Sequence, residues 1–554
     1  AALFIDGETV YSREGTTQGD PLAMSIYGIA ILPLIQKLQG SYRQLWFADD
    51  ASAGGKITQL KDWWTRMQSI GPSFGYHPNP SKTWLLTKEQ HLETAKEVFE
   101  DCNIHITSTG QRHLGSALGS DSFLSDFVAT KISTWVDELE NLSEVAKTEP
   151  QAAYAALTHG LIAKWTYLMR TTPGISDHMA PLEEVLRHKF IPAITGRKTV
   201  TDEERQLLAL PCRNGGLGII DPTHQCSSRY DASVDVTAPL VELIMEEKNA
   251  DSIDVEIEQK KRKSRLKANQ RKEVEERVKS LTLPETLGRA AKLVSDKGAS
   301  NWLSAVPLER HGFVLHKGAF RDALCLRYGW LPEKLPTRCE CGSAFSINHA
   351  LNCPNGAFPS LRHNEVRDFT GKLLAEVCPD VTLEPDLQPL DGESLDFASA
   401  NQEDNARADI RARGFWGGNR QCAFFDVKVF NPNAQSYKRS SLESCFRREE
   451  NAKKRKYEQR IIEVEHGSFT PLVFSTSGGM GNLASTFYKR LASLLSEKRQ
   501  EAYSSTLGWI RTHLSFSLLR SAIMCIRGAR SSSKHVVKGC DSCDLVTAEA
   551  HIRE

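Results

Sequence analysis

Asp49 and Asp50 stand side by side in FADDASAGG, at the end of an apolar run. Adjacent carboxylates repel, so placing them together where water is scarce calls for a compensating charge. A divalent cation is one answer and a solvated turn is the other. Asp409, Asp426 and Lys428 form a second group, in ARADIRARGFWGGNRQCAFFDVKVFNP. This stretch reads as two strands joined by a Gly-Gly-Asn turn. Phe425, Val427 and Val429 then face one way, Asp426 and Lys428 the other, and Asp409 comes alongside from the first strand. The alternative is an amphipathic hairpin with a surface Asp-Lys pair. A third group is CECGSAFSINHALNC, which sets Cys339, Cys341, His349 and Cys353 in a C-x-C-x7-H-x3-C pattern. Three thiolates and an imidazole suit tetrahedral zinc, with Gly342 letting the first pair face the metal. The alternative there is four residues used for packing. A lone C-x-x-C, Cys540 and Cys543, falls in the tail and makes a poor zinc site.

These groups need elements to position them. Residues 1–120 mix strand and helix patterns. GTTQGDPLAMSIYGIAILPLI puts Pro21 near the first turn of an apolar, buried helix, and Gly15 and Gly19 leave room for a flat ligand against the backbone. Downstream, Lys82 follows a turn in NPSK, and GQRHLGSALG reads as a hairpin. Residues 121–230 read as mostly helical, with Leu157, Leu161, Trp165 and Leu168 on one face. EIEQKKRKSRLKANQRKEVEERVK predicts a long polar helix, either a solvated face or a phosphate-contacting arm. A Pro-rich boundary precedes the cysteines. Beyond them, Val366, Phe369, Leu373 and Val377 make the apolar face of a helix with Glu365 near its start, followed by alternating helices and strands.

Taken in order, these motifs resemble a non-LTR (LINE-type) retrotransposon polyprotein with a restriction-like endonuclease. Gly15, Gln18, Gly19, Asp20, Pro21 and Leu22 match that family's G-x-x-Q-G-D-P-L template- and nucleotide-contacting stretch. Phe47, Ala48, Asp49 and Asp50 match its F-A-D-D turn. The resemblance implies two magnesium ions, with Asp49 the principal ligand and Asp50 the weaker one. It places Lys82 near the leaving pyrophosphate and HLGSALG at the primer end. The cysteine pattern is similar to the CCHC knuckle between polymerase and nuclease, a structural site that orients nucleic acid. An acid followed by D-x-K on the adjacent strand resembles the PD-(D/E)xK nuclease core. Asp409 and Asp426 would hold Mg²⁺ or Mn²⁺, Lys428 would orient or deprotonate the attacking water, and Glu365 would be a further ligand. Ala408 stands where the family often has proline. KKRKYEQR supplies Lys453, Lys456 and Tyr457, of which the resemblance singles out Lys456 and Tyr457.

The expected architecture is α+β and multidomain. It comprises a partial palm (1–120), a helical thumb (121–230) and a helical connecting region with the basic block (231–335). A zinc knuckle (336–358), an α/β restriction-like nuclease core (359–500) and a C-terminal helix with a polar tail (501–554) follow. The implied activity is target-primed reverse transcription, in which the nuclease nicks chromosomal DNA and the exposed 3′ hydroxyl primes copying of element RNA from deoxynucleotides. The family takes a third catalytic aspartate from an earlier palm strand, yet only 14 residues precede Gly15 and Asp6 lies too close. The chain is therefore expected to be the C-terminal part of a polyprotein or a decayed copy, with an incomplete polymerase. A catalytically inactive nucleic-acid-binding relic is the rival reading. A chromosomal substrate implies the nucleus, with which KKRK at 260–263 is compatible.

Composition adds bounds. With 69 acids against 69 bases the formal charge is zero, so any attraction for nucleic acid must come from how the charge is distributed. Thirteen unevenly clustered cysteines among 554 residues argue for a reducing compartment and a metal site over a disulfide framework. No stretch reads as a membrane span or a signal peptide, and no membrane partner is expected.

Overall fold

A computed structural model describes residues 2–11, 20–246, 252–417 and 421–528. The architecture is mixed α+β and predominantly helical. The chain divides into two compact units, one of residues 1–134, 166–178 and 225–269, the other of 135–165, 179–224 and 270–554.

In the first unit, β1 (Ala2–Ile5) and β2 (Glu8–Tyr11) form a hairpin whose turn uses positive φ at Asp6 and Gly7. Helix α1 (Ala23–Lys37) follows, then the antiparallel pair β3 (Arg43–Phe47) and β4 (Asp50–Gly54), and α2 (Ile57–Ile70). β5 (Trp84–Leu86) pairs in parallel with β6 (His105–Thr107), and β7 (Gly110–His113) forms a hairpin with β8 (Ser116–Gly119). Every sheet here is two-stranded among the described residues. The core gathers Leu34, Leu38, Trp63, Trp64, Met67 and Phe99. The apolar helix expected to be buried is so on one face only. Ile31 and Leu34 enter the core, while Ile26, Ile29 and Leu32 are about half exposed or more, because no described element of the unit covers them. Two long helices, α3 (Pro222–Glu246) and α4 (Ser252–Ser280), pair through Asp235, which accepts from Arg262 and Arg265.

The second unit joins a helical layer to an α/β sandwich. In the layer, Leu157, Trp165 and Leu168 are buried as their spacing predicts, whereas Leu161 is only half-buried. Residues 157–161 form a π-turn, and its extra residue rotates Leu161 off the face. α5 (Glu285–Val294) and α6 (Lys317–Tyr328) pack beside it. The sandwich contains α7 (Phe358–Val377), β9 (Val381–Leu383), β10 (Ile410–Arg413), β11 (Cys422–Phe430), α8 (Leu442–Glu463), β12 (Ser468–Ser475), α9 (Asn482–Arg499) and α10 (Tyr503–Arg527). The sheet order is β12-β11-β10-β9, with β11 and β12 parallel and the rest antiparallel. Parallel neighbours need a crossover, which α8 supplies.

Both faces of β11 are covered. Phe425 and Val427 enter the main core with Leu472, Phe474, Phe487, Leu491 and Leu514. On the opposite face Phe424 packs with Tyr457, Ile461 and Phe469 from α8 and β12. Each such large apolar side chain taken from water contributes roughly 1.5–3 kcal/mol. That is enough to hold α8 down over a strand that also carries an aspartate.

Candidate metal centre and carboxylate pocket

The metal centre is built on a short hairpin and one turn of helix. Cys339 and Ser343 close the hairpin through the Cys339 N–H to the Ser343 carbonyl at 2.9 Å, and Gly342 takes φ +85° in the turn. Ser346 caps the helical turn Ile347–Ala350 by accepting the His349 N–H at 3.1 Å. The Cys353 N–H then bonds the His349 carbonyl at 2.8 Å, so both side chains leave one face. The Cys341 sulfur lies 3.2 Å from His349 Nε2, and the Cys339 and Cys353 sulfurs are 3.8 Å apart. One ligand atom from each of the four residues falls within 4.8 Å of every other, a set that could hold a metal ion. Three soft sulfurs and one nitrogen, with all four positions filled by protein, match the donor set of a closed structural zinc site. Among the described residues no other group of three or more His, Cys, Asp or Glu side chains could hold a metal ion in this way.

The second acid group assembles where the strand pattern predicts. Asp409 immediately precedes β10, whose Ile410 pairs with Phe425 of β11, so Asp409 lies beside Asp426 and Val427. One Asp409 oxygen accepts the Val427 N–H at 2.6 Å, and the other is 3.0 Å from His363 Nε2 on α7. Asp426 is buried beneath α8, where the Lys453 ammonium stands 2.5 Å from its Oδ2 as a close ion pair. Burial pushes the Asp426 carboxyl up to about 6; Lys453 opposes that rise and Asp409 adds to it. Lys428 leaves β11 on the same face as Asp426 and is half-buried.

Two of the expected residues have other partners. Glu365 lies two residues beyond His363, and so across the helix. Its carboxylate meets the Ser517 hydroxyl of α10 at 3.3 Å, and burial raises its pKa. Lys456 is exposed, its ammonium 5.0 Å from the Tyr457 ring centroid. Lys453, four residues before Tyr457, shares the inward face of α8 and is the lysine that meets the acid. Tyr457 is buried, and its phenol is raised by burial first and by Asp426 next. His363 gave no signal in the sequence except its place one turn before Arg367 on a helix that borders the acids. Arg460, fully buried, donates to the carbonyls of Gln388, Asn401 and Glu403 and pins the loop before β10.

The first acid pair sits otherwise than its apolar approach suggests. Asp49 and Asp50 are both exposed, at the tip of the β3–β4 hairpin, where Ala48 takes φ +51° and Phe47 pairs with Asp50. The Tyr76 hydroxyl donates to the Asp49 carbonyl at 2.9 Å, and burial, helped by Tyr27 and both acids, raises that phenol. Lys82 is exposed on its own single turn, capped by Asn79. The β7–β8 hairpin forms as read, with positive φ at Leu114 and Gly115. Asp20 and Pro21 are exposed, and the Asp20 carboxylate accepts the Leu22 N–H at 2.8 Å at the entry to α1. Gly15, Gln18 and Gly19 lie outside the described residues, as do Cys540 and Cys543.

A cavity of about 280 Å³, lined by α5, α6, α10 and the turn at Thr476–Gly478, includes none of these residues. No described helix is long and apolar enough to cross a membrane. No family model matches the chain, and no curated protein is similar to it.

Proposed function

We propose that residues 359–528 form a metal-dependent DNA endonuclease core of PD-(D/E)xK type, carried behind a structural zinc knuckle in a retrotransposon-derived protein. The observation that carries this reading is the convergence of Asp409 and Asp426 from neighbouring strands, with Lys428 on the same face. Two carboxylates on neighbouring strands, close enough for Asp409 to raise the Asp426 pKa, are the donors a hard cation would take, and the Lys453 ammonium would have to yield its place on Asp426 to it. Magnesium keeps several waters and needs only one or two protein carboxylates, here Asp409 and Asp426. When bound, such an ion supplies a polarised water and charge stabilisation for phosphodiester hydrolysis. Val427 N–H and His363 fix the Asp409 carboxylate, Lys428 meets the developing charge on the phosphate, and Lys453 holds Asp426 ionised in a buried site. Target DNA would be nicked here to prime copying of element RNA. Asp49, Asp50 and Lys82 would be the remnant of the polymerase palm.

Nicking of supercoiled DNA in Mg²⁺ tests the reading. The full chain should cut, Asp426→Ala should lose at least a hundredfold in rate, and chelation should stop both. Equal cutting by the two proteins would remove Asp426 from the mechanism. A binding protein without catalysis is the second reading. It is favoured by the Lys453 ammonium, which already neutralises the carboxylate oxygen a metal would use.

A further inference from the structure

Helix α4 carries a charge pattern that the carboxylate pocket does not use. From Lys260 to Lys272 the sequence KKRKSRLKANQRK holds eight lysines and arginines and no acid. One side of this helix is committed to α3. Gln259 donates to the Val236 carbonyl at 3.3 Å, and Arg262 donates to the Asp235 carbonyl and carboxylate at 3.0 and 3.2 Å. Leu266, four residues after Arg262, continues that side. Lys260, Lys263 and Lys267, spaced i, i+3 and i+7, lie on the side turned away, with Lys261 flanking them. All four are exposed. Lys260 has one solvent-exposed partner, Glu256, at 2.8 Å. The side chains of Lys261, Lys263 and Lys267 make no hydrogen bond or ion pair among the described residues, though Lys260, helped by Lys263, lowers the Glu256 pKa. Lys263 and Lys267 are a like-charge pair one turn apart, which weakens a helix in isolation and is relieved when a polyanion lies along it.

We propose that this face of α4 binds the phosphodiester backbone of a nucleic acid, at a site separate from Asp409 and Asp426. Charge complementarity selects the occupant. A helix that rests on an anionic membrane sets an apolar face opposite its basic one. Here the opposite side is taken by α3 at Gln259 and Arg262. Contacts to phosphates carry no base information, so the site would raise affinity and position the strand without reading sequence.

Fluorescence anisotropy with labelled duplex DNA and labelled single-stranded RNA, in chelator and across a salt series, tests the proposal. The full chain carries Asp426→Asn throughout, so cutting does not enter the measurement. In the variant Lys260→Gln, Lys263→Gln, Lys267→Gln, the slope of log affinity against log salt should shrink. The loss is about 0.9 per lost contact on duplex, or about 0.7 on single strands, roughly 2–3 in all. Affinity near physiological salt should drop roughly tenfold or more. The ligand whose slope changes names the strand type. The matching Lys→Arg variant should keep the parental slope, and so should Lys147→Gln, Lys164→Gln, Lys189→Gln, whose lysines are paired with Glu144, Glu138 and Glu140. An unchanged slope in the first variant on both ligands overturns the proposal. An equal loss in the second glutamine variant reduces it to net charge and overturns it as well. Binding to phosphatidylserine vesicles with none to either nucleic acid would replace it with a membrane surface. A chain that binds this way yet never nicks leaves the α4 site standing and removes only the endonuclease.

Discussion

Asp426 shows how one side chain can serve a pocket and strain it. The carboxyl is nearly fully buried, and its pKa is pushed up to about 6 from an ordinary value of 3.8. A raised folded-state pKa means that the native form holds the proton more tightly than the unfolded chain. The charged group therefore weakens the fold above about pH 6, and the penalty fades as pH falls towards 4. About two pKa units correspond to roughly 3 kcal/mol. Asp426→Asn removes the titration. Its stability relative to the parent should thus be most favourable at pH 7 and fall by up to that amount at pH 4, as read from denaturant midpoints. Lys453 belongs to the same site. Lys453→Met leaves a buried carboxylate without its counter-charge and should cost roughly 3–5 kcal/mol at pH 8. Lys456→Met, on the exposed side of the same helix, should stay within about 0.5 kcal/mol. Equal effects of the two would mean that the Lys453–Asp426 contact does not exist in solution. The face that Asp426 and Lys428 share on β11 is legible in the sequence because a strand alternates with period two and their neighbours are strongly apolar. Sequence reasoning favoured Lys456 over Lys453 because a family pattern says nothing about which helix face turns inward. The spacing to the buried Tyr457 does.

At the scale of elements, the cysteine–histidine cluster is joined to α10 through a small apolar cluster. Leu351 and Phe358 flank its last ligand, Cys353, and pack with Ala522, Met524 and Cys525 of α10. Of the ligand side chains, Cys339 and Cys353 are buried while Cys341 is exposed. An ion held by these four side chains would tie the hairpin to the helical turn and add local order. One zinc per chain is the expected stoichiometry by elemental analysis, falling to none in Cys353→Ser. Chelation should lower the melting temperature by several degrees and loosen α10, seen as faster amide exchange over Tyr503–Arg527. A chain that melts identically with and without chelator would leave these residues as packing alone. The knuckle was legible because its ligands are close in sequence and flanked by glycine and proline. Glu365 was not, because a carboxylate near a helix start gives no sign of which neighbour it will face. Only the arrival of α10, over 140 residues later in the chain, turns it towards Ser517.

For the whole molecule, the division at 231 follows a change in composition, yet hydrogen bonds and ring contacts run across it. Gln151 lies in the stretch read as a thumb. Its amide donates to the Phe313 carbonyl at 2.9 Å and accepts the Leu315 N–H at 2.6 Å, both in the stretch read as a connector. Arg327, also in the connector, donates to the carbonyls of Cys212 and Gly216 at 2.8 and 2.9 Å. Gly216 is required there, since a Cβ would come within 1.9 Å of the Leu210 carbonyl oxygen. Tyr154 packs on Phe320 with ring centroids 6.1 Å apart. Composition cannot reveal such joins, because buried polar groups of this kind are single residues among ordinary helical sequence. The consequence is measurable. A fragment of residues 231–528 keeps the sandwich and the knuckle, but strands Phe313, Leu315 and Arg327 without these partners. Each buried group left unsatisfied costs about 1–3 kcal/mol. The fragment should unfold several kcal/mol earlier than the full chain and bind a hydrophobic dye. A fragment of residues 135–528, which restores Gln151, Tyr154 and the Cys212–Gly216 turn, should recover most of the loss. If the two fragments prove equally stable, the helices between 135 and 224 fold apart from the sandwich, and the second unit is not one cooperative body.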